Sequence, residues 1–352
     1  MAEGADFSSR IVEAGATGYA AGAAHLLLER HPETAARFGE TAFGKWKEHL
    51  ALRSRQLAAA LLVAEPALFV ADVTWSRTSF ESRDVPLADL LASLECLRDT
   101  LAAELPEGSR ELPRRYLEAS LEALAAAPPP AAPEPAGRTP GETLALRLLE
   151  ATLAGDRRRA KALVLEAIGE SLSVRAAYTE VLAVTQRMAG DLWHAGALSV
   201  PQEHFVTATV RDVMAVLADR APRAEPRGLG ALLAVAPGNG HELAARALAD
   251  LLEIDGWRTV YLGGNLPASD LAVALGQFEA DLLGLSIALS TQLRGARRAI
   301  RLARAAKPEV KILVGGGVFF LAPGLWRHLG ADAGAASLDE AVAVAARLCP
   351  AR

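Results

Sequence analysis

Three short runs in the last third of the chain carry side chains suited to gripping a cofactor. The first, Ala236-Pro237-Gly238-Asn239-Gly240-His241-Glu242-Leu243, ends an apolar stretch with a glycine-containing loop and a single imidazole. A glycine loop after a strand often cradles phosphate. Here the spacing is not GxGxxG, and no acidic residue follows at the distance a dinucleotide site needs. His241 falls at the start of a helix, where the positive end of the helix dipole favours a neutral ring. A neutral imidazole is also the form that ligates a metal. The second and third runs, Ser286-Ile287-Ala288 with Ser290 just beyond, and Gly315-Gly316-Gly317, offer small side chains at two further strand ends. Upstream, Trp193 is followed at once by His194 and, after nine intervening residues, by Glu203-His204. Taken alone, a helical tryptophan is more often core and a Glu-His pair a solvated face, so their weight depends on the surrounding elements.

Those elements change character along the chain. ALLAVAP, WRTVYLGG, DLLGLSIAL, KILVGGG and ADAGAAS read as five short strands alternating with helices. That alternation means βαβ units and a parallel sheet covered on both faces. Residues 228–352 are therefore expected to form a flavodoxin-like (Rossmann-like) five-stranded domain that binds its ligand at the carboxyl ends of the strands. Before it, GETLALRLLEATLAG, RRRAKALVLEAIGES, VRAAYTEVLAVTQRMAGDLWHAG and PQEHFVTATVRDVMAVLADR have helical periodicity and suit a four-helix bundle over 142–222. The proline-dense run at 125–141 cannot continue a helix and reads as a linker. Residues 1–124 carry apolar side chains at three- and four-residue spacing and few β-branched runs, which predicts an all-α domain. The fold class is thus multidomain, α followed by α/β.

Bulk properties exclude several functions. Of 352 residues, 51% are hydrophobic and 22% charged, enough for a large core. The net charge of −5 argues against a protein that lives on the nucleic-acid backbone, which needs clustered Lys and Arg. Cys96 and Cys349 are too far apart in sequence to suggest a disulfide framework or a CxxC metal site. No run of 18 apolar residues and no signal peptide are apparent, so the expectation is a cytoplasmic protein without a membrane partner.

The three C-terminal runs resemble the cobalamin-binding domain of methionine synthases, methylmutases and light-responsive CarH-type repressors. The motif of those proteins runs D/E-x-H-x-x-G, then S-x-L, then GG, each at a strand end. Asn239 stands here in place of the acidic residue and Ala244 in place of the last glycine. The resemblance implies that His241 is the lower axial cobalt ligand. It also implies that Asn239, Gly240, Glu242, Leu243, Ser286, Ala288, Ser290 and Gly315–Gly317 line the corrinoid. An amide at 239 still accepts a hydrogen bond from the imidazole but pushes less electron density toward the metal than a carboxylate does. The Trp193, Glu203-His204 spacing ahead of this fold is similar to that of the light-sensing cobalamin repressors in particular. By that resemblance Trp193 packs on the adenosyl group, and Glu203 and His204 help hold it. His194 can then take the upper cobalt position after illumination.

The basic winged helix-turn-helix with which those repressors begin is missing, so direct DNA binding is not expected. The N-terminal region, with its stretch WSRTSFESRDVPLADL, is instead similar to the helical domain of photocobilins, cobalamin photoreceptors that also bind biliverdin. A bilin needs aromatic walls, cations for two propionates and a polar group near its pyrrole nitrogens. Trp46, Trp75 and Phe80 are candidates for walls, Arg77 and Arg83 for cations (Arg53 and Arg55 as alternates), and His49 for the pyrroles. The ordinary alternative is that Trp46 and Phe80 are core and the arginines solvated. Cys96 offers a thioether to a bilin or, more simply, a small buried hydrophobe. The function expected is a non-enzymatic, adenosylcobalamin-dependent photoreceptor that also takes biliverdin. It would signal through a light-dependent homo-oligomer to an unidentified protein partner. A corrinoid carrier of a methyltransferase system and a light-dependent antirepressor are the alternatives.

Overall fold

The computed structural model describes residues 2–129, 131, 133–170, 172–238 and 240–351. Contacts divide the chain into two compact units. One holds residues 1–130 with 289–294 and 320–329, and the other holds 131–288 with 295–319 and 330–352.

The first, helical unit is built on α1 (Ala2–Ala14), α2 (Ala16–Arg30), α3 (Pro32–Phe38), α4 (Ala42–Leu62), α5 (Pro66–Glu81), α6 (Leu87–Glu104) and α7 (Glu111–Ala126). Alanines at 16, 20, 23 and 24 give α2 a flat buried stripe ending at Leu27, which lets it pack closely on α4 and α6. Leu50, Leu57 and Leu61 of α4 and Leu90, Leu94 and Leu97 of α6 are fully buried. Pro66 opens α5 at its first turn, where its missing N–H costs nothing.

In the second unit, α8 (Pro140–Leu153) begins with a capping box in which Thr139 and Glu142 satisfy each other's backbone N–H. It is followed by α9 (Arg157–Glu170), and then α10 (Val174–Ala176) passes through a π-helical turn at Ala177–Leu182 into α11 (Ala183–His194). A second capping box, Ser199 with Gln202, starts α12 (Val200–Arg220). These helices form the expected bundle.

The sheet has five parallel strands in the order β2-β1-β3-β4-β5. Its strands are β1 (Gly230–Val235), β2 (Arg258–Tyr261), β3 (Leu282–Ser286), β4 (Lys311–Gly315) and β5 (Ala333–Ala335). Each lies where the sequence places an apolar run. The crossovers are made by α13 (Leu243–Ile254), α14 (Ala268–Gln277), α15 (Leu293–Ala306), α16 (Val318–Leu321) and α17 (Trp326–Leu329), and α18 (Leu338–Leu348) closes the unit. β1 and β3 are buried at every position, because helices cover both faces of the sheet centre. No described helix is long and apolar enough to cross a membrane.

Candidate cofactor site

The strand order reverses between β1 and β3, and the crevice at that switch is where doubly wound sheets hold ligands. The loop leaving β1 enters this crevice. The Ala236 N–H donates to the Ser286 carbonyl at 2.8 Å and ties the loop to the end of β3. His241 is exposed on the loop two residues before α13, and Gly240 beside it borders open space. Glu242 is the N-cap residue just before α13. Its Oε1 accepts from Arg211 at 2.5 Å, and the Tyr261 hydroxyl lies 3.3 Å from its Oε2. Leu243 turns onto the core. Asn239 lies outside the described residues.

The ends of β3 and β4 pack backbone to backbone. A Cβ on Gly316, whose φ is +115°, would stand 2.4 Å from the Ile287 carbonyl oxygen. One on Gly317 would stand 2.8 Å from that of Ala288. These two glycines are required by the close approach of neighbouring backbone. Gly315 accepts from the Ile287 N–H at 2.7 Å. Ser286 is buried at the floor, and Ala288 is half-buried. Ser290 lies in the helical unit, where its hydroxyl donates to Asp72 Oδ2 at 2.5 Å, so its polar atom is engaged by protein.

On the bundle, Trp193 is half-buried and His194 is buried in the last turn of α11. Glu203 and His204 lie on the first turn of α12, with His204 Nε2 3.8 Å from Glu203 Oε2. Two residues not singled out from sequence complete this cluster. Thr207 Oγ1 stands 2.7 Å from Glu203 Oε1 and 3.1 Å from the Gln186 side-chain amide. Both neighbours are oxygens, Glu203 Oε1 and Gln186 Oε1, and a hydroxyl has one proton to give, so Thr207 donates to one of them at a time. The other end of the Gln186 amide is buried without a protein partner. Gln186 precedes Trp193 by seven residues and Thr207 follows Glu203 by four, spacings that put each pair on one helix face.

This donor set suits a metal whose other coordination positions come with it. Among the described residues no group of three or more His, Cys, Asp or Glu side chains is placed to hold a bare ion. What the loop presents is one accessible imidazole at the sheet's switch point, beside backbone kept low by glycine and alanine. That fits a macrocyclic metal cofactor.

The helical unit gathers some of its candidates and leaves others apart. Trp46, His49 and Phe80 pack ring to ring with centroids 4.7–5.8 Å apart, and Phe38 adds an edge contact on Trp46. Arg53, only 4% exposed, donates to the Asp72 carbonyl at 2.9 Å and to Gln56 at 2.8 Å. Burial, then the Arg53 charge, pushes the His49 ring well below its usual value, so it stays neutral. Burial lowers Arg53 to about 10, opposed by Asp72. Burial raises the Asp72 carboxyl, opposed by the Ser290 bond and Arg53. Trp46 Nε1, His49 Nε2 and Arg53 Nε are buried without a hydrogen-bond partner. Arg77 is held by Glu81 at 2.6 Å and by the Ala127 carbonyl at 2.5 Å. Trp75 is 58% exposed, Arg83 turns back onto Ser79, and Arg55 is exposed. Cys96 is a buried free thiol.

Two models of the B12 binding domain match this chain, one over residues 144–218 and the other over residues 229–346. The HTH-type transcriptional repressor CarH of Myxococcus xanthus is 33% identical over 180 residues, 51% of this chain and 59% of the repressor. The chain thus spans less than two thirds of that relative. Dimethylamine corrinoid protein 3 of Methanosarcina acetivorans is 26% identical over 47% of this chain and 79% of its own length. The solved monomethylamine corrinoid protein of Methanosarcina barkeri covers 59% of this chain and 100% of its own, with 21% identity and a TM-score of 0.49. Residues 144–218 and 229–346 are therefore the two parts of a B12-binding module, and this chain is a cobalamin-binding protein.

Proposed function

We propose that the chain is an adenosylcobalamin-dependent photoreceptor whose helical unit also takes biliverdin. The observation that carries the first half is the pairing of Trp193-His194 at the end of α11 with Glu203-His204 at the start of α12. In this reading His241 would hold cobalt, Trp193 would pack against the cofactor's adenosyl group, and Glu203, beside Thr207 and His204, would accept hydrogen bonds from it. When bound, adenosylcobalamin supplies a cobalt–carbon bond that visible light breaks. The chain does the rest. With the adenosyl group gone, Trp193 would border free space. His194 is only 6% exposed, so an outward turn of its ring must move the last turn of α11. That makes the end of α11 a two-state element biased by what occupies the site. The signal then leaves through a change in self-association, toward a protein partner. Like its relatives the chain is read as a binder rather than an enzyme.

The biliverdin half rests on the unpaired buried donors Trp46 Nε1 and Arg53 Nε and on the neutral His49 ring, set in an aromatic box. Buried polar atoms without partners are uncommon and call for a specific partner, which a bound ligand would supply here. Trp46, His49 and Phe80 form the inner wall in this reading. Trp75, Arg77 and Arg83 make outer contacts.

A corrinoid carrier is the second reading. It is supported by the higher coverage of the dimethylamine corrinoid proteins, 78–98% of their length against 59% for the repressor. Purifying the protein in darkness with adenosylcobalamin and biliverdin, then recording spectra and size before and after green light, separates the two. The photoreceptor reading expects an irreversible corrinoid change and a new elution volume. A light-insensitive corrinoid spectrum overturns it and leaves the carrier. Absence of a red-absorbing band overturns the bilin assignment.

A further inference from the structure

Glu242, the residue after the proposed cobalt ligand, is held from two directions. Arg211 of α12 reaches its Oε1 at 2.5 Å from the bundle. The hydroxyl of Tyr261, last residue of β2, lies 3.3 Å from its Oε2 and 3.4 Å from its carbonyl oxygen. Burial, with the Glu242 charge behind it, raises the Tyr261 phenol to about 12, so the hydroxyl keeps its proton and donates. The contacts continue along α13. The Arg246 guanidinium lies 5.8 Å over the Tyr261 ring and donates to Asp250 at 2.9 Å. Asp250 also accepts from the Tyr178 hydroxyl at 2.8 Å, and that hydroxyl lies 3.1 Å from the Met214 carbonyl of α12. Tyr178 sits in the π-helical turn, where the extra residue per turn marks a local departure from α-helical packing. The bundle therefore grips α13 at two places, at its N-cap Glu242 through Arg211 and two turns later at Asp250 through Tyr178.

We propose that Arg211 and Tyr261 are positioning residues for His241, fixing the loop that carries the imidazole and making its placement depend on how the bundle is docked. The proposal rests on the cobalamin reading. An isolated, half-exposed Arg–Glu pair is worth little. Here the carboxylate has one oxygen committed to the bundle and the other to the sheet, and the ligand is its chain neighbour. Moving His241 along the loop axis breaks one contact or drags α12. Coupling of this kind is reciprocal: seating the ring steadies the bundle, and a docked bundle presents the ring.

The test compares wild type with Arg211→Ala, Arg211→Lys and Tyr261→Phe, using Arg298→Glu on α15 as a charge control. Each is titrated with adenosylcobalamin and the fraction in the histidine-on spectrum is measured. Arg211→Ala and Tyr261→Phe are expected to bind about 5- to 20-fold more weakly, with a rise in the histidine-off fraction. Arg211→Lys should recover most of the loss, and Arg298→Glu should match wild type. Rising salt should weaken wild type toward Arg211→Ala and leave that variant nearly unchanged. As a second measurement, binding should slow amide exchange in α12 of wild type and not of Arg211→Ala. Unchanged spectra and affinity in Arg211→Ala, with wild type binding normally, overturn the proposal alone. Failure of wild type to bind any corrinoid overturns the cobalamin reading and this proposal with it.

Discussion

The two units handle their imidazoles and charges in opposite ways. In the helical unit Arg53 is buried and His49 half-buried with its ring packed edgewise on Trp46 and Phe80, and His49 Nε2 and Arg53 Nε are buried without a hydrogen-bond partner. In the sheet-bearing unit His241 and His204 stand exposed, and Glu203 is half-buried with its oxygen held by Thr207. The difference follows from the elements. A helix interior places polar groups by displacing core, at a cost in stability. A loop at the carboxyl end of a parallel strand presents them at the surface with the sheet supplying the support. The enclosed cluster should therefore matter for folding whether or not a ligand is bound, and the open one for ligand alone.

The largest effect expected on that contrast comes from Arg53→Leu. It removes the buried guanidinium that bonds the Asp72 carbonyl and Gln56 and lies near the Asp72 carboxyl, and should destabilise the helical unit by on the order of 3 kcal/mol in denaturant unfolding. Little loss there would break the contrast. Next is Gly316→Ala, where a Cβ must occupy space taken by the Ile287 carbonyl at a φ of +115°. About 2 kcal/mol of the sheet-bearing unit's stability should go, with corrinoid affinity. pH sharpens the comparison further. The folded value of His49 lies below its unfolded one, so near pH 6.5 the unfolded chain takes up a proton that the fold refuses. Stability of the helical unit is then full above neutrality and falls on acidification, by up to about 1.4 kcal/mol per pH unit. In His49→Phe this component should vanish from a pH series of melting curves. The smallest effect is His241→Ala, which should shift unfolding by less than about 0.5 kcal/mol while abolishing histidine-on binding.

Much of the architecture is legible in the sequence because its signals are local. Apolar runs such as ALLAVAP and KILVGGG end at glycine or proline and mark β1 and β4, and the His241 loop identifies itself by following the first. What escapes is what depends on distant partners or on a single inserted residue. The π-helical turn at Ala177–Leu182 leaves the apolar spacing of its helix readable, so nothing in the sequence betrays it. Ser290 reads as a cofactor contact, yet its hydroxyl is spent on Asp72, 218 residues away in the chain. Gln186 and Thr207 carry no motif, and their connection to Glu203 appears only when α11 and α12 are packed. Trp75 and Phe80 lie on one helix, but Trp75 is 58% exposed while Phe80 packs on His49, a division that helical periodicity alone does not assign.

The central claim is that His241 holds cobalt, and nitrogen coupling in electron paramagnetic resonance tests it most directly. The protein, loaded with cob(II)alamin, is prepared with natural and with 15N-labelled histidine. A three-line nitrogen splitting is expected that becomes two lines on labelling, and no label-sensitive splitting is expected in His241→Ala. A wild-type splitting indifferent to the label, or a label-sensitive one retained in His241→Ala, would contradict it.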